Sequence, residues 1–224
     1  GITLVSAADE AQVHDARGQW LVAQEYFHRP LTSAGGRKFH ARLYVFVPRW
    51  HPVAALLYEE GLVFRSRSVH RSDRPSQKRD IFSEISQSVE LLPLSDIWEE
   101  VGAERTAEAT ARLLEVLAEI FGIALSESFG NASKLDDRGY SCFDLFGIDV
   151  MFGEDMWPYV LEINLGPNLW VDRQGDEEEV MLREVKQPLV EQLSAWAAAR
   201  IRRARRSEPI ALEEHMALEA QTLL

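Results

Sequence analysis

Residues 38–47 (KFHARLYVFV) alternate between two kinds of side chain with a period of two, the pattern of a strand whose faces meet different surroundings. Lys38, His40, Arg42 and Tyr44 fall on one face and Phe39, Ala41, Leu43 and Val45 on the other, after a turn signal at Ser33-Ala34-Gly35-Gly36. Residues 52–58, the Glu59-Glu60-Gly61 break and residues 62–66 predict a hairpin. Two more apolar runs, 142–152 and 157–164, flank Gly153-Glu154-Asp155-Met156 and predict another. The pieces 2–5 and 20–23 predict short strands, and the polar, basic stretch 69–79 (VHRSDRPSQKR) predicts a mobile loop. Alanine and leucine at helical spacing predict a helix over 106–121; a long amphipathic pattern predicts another over 180–206, broken at Pro188, and a short helix is expected after Pro209. Hairpins beside helices imply an α/β (α+β) fold, a mostly antiparallel sheet flanked by helices.

Composition narrows the class. With 224 residues, 46% of them hydrophobic, the chain can bury a sizeable core as one large domain or two small ones. The single cysteine, Cys142, excludes an intramolecular disulfide and a cysteine metal cage, and fits a reducing compartment. It is expected to be buried beside Phe143, with no basic neighbour in sequence to activate it. A net charge of -12 argues against nonspecific nucleic-acid binding. No apolar run approaches the roughly 20 residues that span a bilayer, and Asp9, Glu10 and Asp15 are unlike a signal peptide. The expectation is a soluble, cytoplasmic protein with no nucleic-acid or membrane partner. Because the chain opens with Gly1 rather than Met, it is expected to be the later part of a longer gene product. His28, His51, His70 and His215 lack ligand spacing and are expected at the surface.

Residues 160–169 (VLEINLGPNL) set a carboxylate, Glu162, and a carboxamide, Asn164, into an otherwise apolar strand. If a four-residue loop pairs Phe152 with Trp157, Asp149 lies opposite Val160 and diagonal to Glu162. One face then carries Asp149, Glu162 and Asn164; the other carries Phe146, Ile148, Val150, Phe152, Tyr159, Leu161 and Ile163. Three oxygen-bearing side chains on one face suit a hard cation such as Mg²⁺, with substrate phosphates and water completing its shell. Solvated acids on a half-exposed sheet are the alternative. Lys38 and Arg42 supply the complement, a point charge and a fork for phosphate or carboxylate oxygens, unless they form a solvated edge. The cationic run Arg200, Arg202, Arg203, Arg205 and Arg206 reads either as a solvated helix end or as a contact for an acidic partner.

Together these pieces resemble the tubulin-tyrosine-ligase-like family, a branch of the ATP-grasp ligases, over roughly residues 1–200. Three motifs in the family's order carry the resemblance. Residues 22–31 (VAQEYFHRPL) are similar to its adenine-contacting hinge, residues 36–45 (GRKFHARLYV) to its Gly-Arg-Lys-Phe-Asp strand, and residues 143–169 to its metal-binding hairpin. The resemblance implies an ATP-grasp-like fold, incomplete at its N-terminus, over residues 1–206, with a tail at 207–224. It implies that Gln24, Tyr26 and Phe27 meet the adenine, that Lys38 and His40 lie against the nucleotide, and that Arg42 meets phosphates or the incoming carboxylate. Lys38 and Arg42 are the implied catalytic residues, and Asp149, Glu162 and Asn164 the implied holders of Mg²⁺ on ATP. Four departures stand out. His40 replaces an aspartate, Glu25 a common lysine, and Phe64 an arginine that Arg65 follows one place later; a His-Leu-Thr-Asn-like motif is replaced by residues 82–86 (FSEIS).

The implied activity is an ATP- and Mg²⁺-dependent ligase that activates a carboxylate as an acyl phosphate and adds a free amino acid to tubulin tails. Glutamate is chosen from family abundance, and tyrosine and glycine stay open. Tubulin or microtubules are the implied partner and the cytoskeleton, cilia or flagella included, the implied location. The chain alone is expected to be inactive. A degenerate family member that binds tubulin or nucleotide without catalysis is the first alternative, and a ligase with another acceptor the second.

Overall fold

A computed structural model describes residues 24–50, 53–71, 89–125, 143–170, 177–206 and 220–222. The strands expected at 2–5 and 20–23, most of the basic loop, Cys142, His51 and His215 lie outside the described residues.

Strands β1 (Thr32–Ser33) and β2 (Arg37–Trp50) form a hairpin around Gly35 and Gly36, whose φ angles of 75° and 68° are readily reached by glycine. β3 (Val53–Tyr58) and β4 (Leu62–Val69) do not pair with each other as the sequence predicts. Both run antiparallel to β2, end to end: Trp50 pairs with Val53, Val45 with Leu57, Arg42 with Leu62 and Arg37 with Val69. Gly61 is the reason. A Cβ there would stand 2.8 Å from the Arg42 carbonyl oxygen and 3.0 Å from Leu43 Cδ2, so this glycine lets the chain hug β2 through a kink rather than turn back. Gly61→Ala is expected to lower stability by roughly 1–3 kcal/mol through this clash, read as a lower urea midpoint at an unchanged slope.

β5 (Val89–Pro93) lies on the outer edge of β4 and leads directly into α1 (Leu94–Val101), two elements the sequence reading passed over. Gly102, at φ 89°, joins α1 to α2 (Ala103–Glu119), which continues as a π-helical stretch, Ile120–Leu125. β6 (Asp144–Phe152) pairs with the free edge of β2, and β7 (Pro158–Leu165) with β6. α3 (Glu177–Arg206) runs through Pro188 without the expected break. Val185 and Leu189 bury on the sheet around that position and Trp196 two turns further on, so packing holds both halves. β8 (Ala220–Thr222) adds an antiparallel strand to β3 where a short helix was expected.

Every described pairing is antiparallel. The period-two pattern of β2 decides the layers. Phe39, Ala41, Leu43 and Val45 join the core under α1 and α2, with Ile97, Leu113, Leu117, Phe121, Ile148 and Val150. On the opposite face Tyr44, Leu62 and Phe64 pack against Val185 and Leu189 of α3, and Phe46 against Trp196. Arg42, His40 and Lys38 lie on that same face, Arg42 and His40 as the register partners of Leu62 and Phe64.

Candidate functional site

The β6–β7 hairpin has a longer turn than expected and a bulge. Phe152 pairs with Pro158 rather than Trp157, because the Gly153 N–H donates to the Trp157 carbonyl (2.9 Å) and Met156 adopts φ 63° within the turn. Val150 then pairs with Val160 but Asp149 with Glu162, leaving Leu161 as the extra residue. Asp149 therefore sits directly across from Glu162, and Gly147 from Asn164. The bulge also corrects the apolar face. Val160 packs against the core, while Tyr159 and Leu161 stay 39% and 50% exposed.

Arg42 is the register partner of Asp149 on β2, and its guanidinium grips that carboxylate with both arms: Nε donates to Oδ1, and Nη2 to Oδ2 at 2.8 Å. The hydrogen bond to Asp149 raises the pKa of Arg42 above its ordinary value against the cost of burial, and Glu162 adds to the rise. Gly147 makes room for this arrangement. A Cβ there would meet Pro167 Cβ at 2.8 Å and Arg42 Cδ at 3.2 Å, so both the arginine stem and the loop after β7 depend on a bare backbone. The Gly166 N–H donates to the Leu145 carbonyl (2.9 Å) and folds that loop back over β6.

Among the described residues no three His, Cys, Asp or Glu side chains gather as a metal cluster. The donors on this face are two carboxylates and one carboxamide. Such a small, hard set fits Mg²⁺ carried on phosphates better than it fits zinc. A cation on Asp149 competes with Arg42, which holds both of its oxygens.

Lys38 is buried, with Nζ 3.4 Å from the Tyr26 hydroxyl and 4.7 Å from the centre of its ring. Gln24, Tyr26 and Phe27, with Tyr159 and Leu161, line a 510 Å³ cavity, and the Phe27 and Tyr159 rings lie 4.4 Å apart. The hydrogen bonds Leu31 N–H to Phe152 O (2.7 Å) and Glu154 N–H to Arg29 O (3.1 Å) dock this segment on the β6–β7 turn. Tyr26 thus links Lys38 on β2 to the segment that lines this cavity.

His40 and Phe64, two of the departures, are cross-strand partners stacked at 4.8 Å and 12°. Burial pushes the His40 pKa down to about 4 from its ordinary 6.5; Asp149 opposes this, and Arg42 and Lys38 add to it. Since the folded pKa lies below the unfolded one, the His40 contribution to stability is complete above pH 6.5 and is lost as pH falls toward 4, by up to about 3 kcal/mol. Urea unfolding of the parent and of His40→Gln at both ends of that range reads this term. The parent is expected to lose more stability than the variant by about that amount.

Arg65 does not replace the missing arginine. It lies on the opposite face of β4, bonded to Glu90 on β5 (3.0 Å) and Glu100 on α1 (2.8 Å). His28 is exposed, and His70 Nε2 lies 3.4 Å from the His28 carbonyl. In the arginine run, Arg200 stacks over Trp196 at 5.0 Å while Arg202 is exposed. One residue near the cleft escaped the sequence reading: Lys186 of α3, 7% exposed, whose Nζ donates to the Trp170 carbonyl (3.2 Å). Its signal was a lysine on the apolar stripe with Leu189 and Leu193.

In three dimensions the chain resembles the C-terminal domain of K. lactis Pby1, an ATP-grasp enzyme that interacts with the mRNA decapping enzyme Dcp2. The TM-score is 0.59 at 18% identity, over 98% of this chain and 57% of that one, so the fold is of the ATP-grasp type. In sequence it is 31% identical over 167 residues to "Tubulin polyglutamylase ttll-4" of Caenorhabditis elegans, covering 66% of this chain and 27% of that protein. It is 27% identical over 182 residues to "Probable tubulin polyglutamylase TTLL9" of Mus musculus, covering 76% and 38%. The chain thus spans well under half the length of these relatives. The profile of the tubulin-tyrosine ligase family matches residues 1–81 and 77–193, and the chain belongs to that family.

Proposed function

We propose that the intact protein is an ATP- and Mg²⁺-dependent ligase that joins glutamate to tubulin tails through an acyl phosphate. The observation that supports this most is the register that sets Asp149 beside Glu162, Asn164 one pair further along, and the cationic row of β2 next to them. Gln24, Tyr26 and Phe27 hold the adenine in the cavity that Tyr159 and Leu161 close from below. Lys38 and Arg42 orient phosphate oxygens and the reacting carboxylate. Asp149, Glu162 and Asn164 hold Mg²⁺, which neutralises charge on the phosphates when bound. A side-chain carboxylate of the tail attacks the γ-phosphorus and ADP leaves; the amine of glutamate then attacks the acyl carbon and phosphate leaves. Glutamate as the added amino acid rests on the names of the relatives. Residues 1–206 form the C-terminal portion of the ligase domain and 207–224 a tail, and the protein works at the cytoskeleton.

A second reading, a member that binds nucleotide or tubulin without ligating, is favoured by the His40–Phe64 stack, which puts a neutral ring pair where the family carries two opposite charges. Mass spectrometry of tubulin tails after incubation with the intact protein, Mg²⁺, ATP and, in separate samples, glutamate, tyrosine or glycine decides between them. Tails heavier by glutamyl units are expected. ATP binding without incorporation of glutamate, tyrosine or glycine supports the second reading.

A further inference from the structure

We propose that Lys186 completes an anion subsite with Arg42, taking a phosphate or carboxylate oxygen of the reactants where α3 borders the cleft; this rests on the ligase reading above. Lys186 is 7% exposed on a helix whose neighbouring Val185 and Leu189 pack among Tyr44, Leu62 and Phe64. An ammonium buried to that degree is ordinarily accompanied by a carboxylate. Among the described residues none lies within ion-pair distance of it. Its bond goes to a neutral acceptor, the Trp170 carbonyl, which uses one of three N–H donors. The charged group that acts on it is the Arg42 guanidinium, a like charge, and burial followed by Arg42 pushes its pKa down.

Two cations at one border, one of them with a single acceptor among the described residues, lose mutual repulsion and gain hydrogen bonds when an anion enters between them. The border is where such an oxygen arrives, because Arg42 and Asp149 face it from β2 and β6 and the loop carrying Pro167 and Trp170 roofs it. A tether from α3 to that loop needs a donor but no charge, so a glutamine would serve it as well.

The test uses Lys186→Met in the intact protein. Replacing a buried charge by an apolar side chain of similar length is compatible with folding, and Lys186→Gln, which keeps a donor for the Trp170 carbonyl, and Lys186→Arg, which keeps the charge, accompany it. Equilibrium binding of ATP and of ADP, and the KM for glutamate at saturating ATP, are compared. Loss of roughly 10- to 100-fold in Met and Gln, with most of it restored in Arg, is expected for one ligand class. Weakened ATP and ADP with unchanged glutamate KM identifies a phosphate as the anion; a raised glutamate KM with unchanged nucleotide affinity identifies the carboxylate. If all three variants bind both ligands as the parent does, whatever their Tm, the subsite is overturned and Lys186 is a tether. That outcome in a parent that ligates tubulin leaves the ligase reading intact. Nucleotide affinity that depends on Lys186 in a parent that ligates nothing overturns the ligase reading alone.

Discussion

Arg42→Ala is expected to destabilise the intact protein by about 3 kcal/mol without divalent ions, because it strands a buried carboxylate. Asp149 is 8% exposed, has both oxygens on Arg42, and faces Glu162 directly across the hairpin. Removing the guanidinium leaves two like charges as register partners, one of them desolvated, and the pair relaxes by protonating or by moving apart. The partial exposure of Arg42, 24% of its side chain, places the cost at the low end of what a buried pair shows. Millimolar Mg²⁺ is expected to raise the Tm of Arg42→Ala more than that of the parent, since the ion no longer competes with a guanidinium. The same variant is expected to bind ATP less tightly, having lost a phosphate fork. Thermal unfolding with and without Mg²⁺ checks both parts. Equal stability, or a Mg²⁺ response no larger than the parent's, would contradict this account of the cleft.

How much of this was legible in the sequence varies by element and for physical reasons. The alternation in residues 38–47 disclosed both faces of β2, since a strand buried on one side and lined with charge on the other must write a period of two. Asp149, Glu162 and Asn164 were legible as one polar face for the same reason. Their register was not. A bulge is set by packing, here Val160 turning to the core while Leu161 is pushed out, and one extra residue shifts every pairing beyond it. Gly61 misled in the same way. A glycine after two glutamates reads as a turn, whereas its role is to pass close to the β2 backbone, a tertiary constraint with no local signature.

β5 and α1 had a signal that was passed over: Pro93 stands just before Leu94, Ile97 and Val101, an apolar stripe behind a residue that often precedes helices. The coupling of His40 to Phe64 needed the strand pairing of β2 with β4, which the hairpin reading of 52–66 concealed. Lys186 needed the placement of α3, because only packing tells a snorkelling lysine from one turned inward.

The second large effect is expected at Glu162. Glu162→Gln keeps the size and the hydrogen-bonding capacity of the side chain but removes one of the two carboxylate charges of the donor set, so the fold should hold while the affinity for Mg²⁺-loaded nucleotide drops. Because charge on the phosphates is then poorly neutralised in the transition state, glutamate incorporation is expected to fall by about 100-fold or more. The side chain is exposed and has no ion-pair partner among the described residues, so its loss has little to destabilise. Any activity change is therefore separable from unfolding by a Tm measured on the same sample.

Calorimetric titration of ATP into the intact protein, with Mg²⁺ and with a chelator, in the parent and in Glu162→Gln, tests the central claim most directly. The account predicts that Mg²⁺ tightens ATP binding in the parent by about 10-fold or more, and that most of this gain disappears in the variant while binding under chelator stays the same. ATP affinity that ignores Mg²⁺, or a Mg²⁺ gain that survives Glu162→Gln intact, would contradict the assignment of Asp149, Glu162 and Asn164 as the cation site.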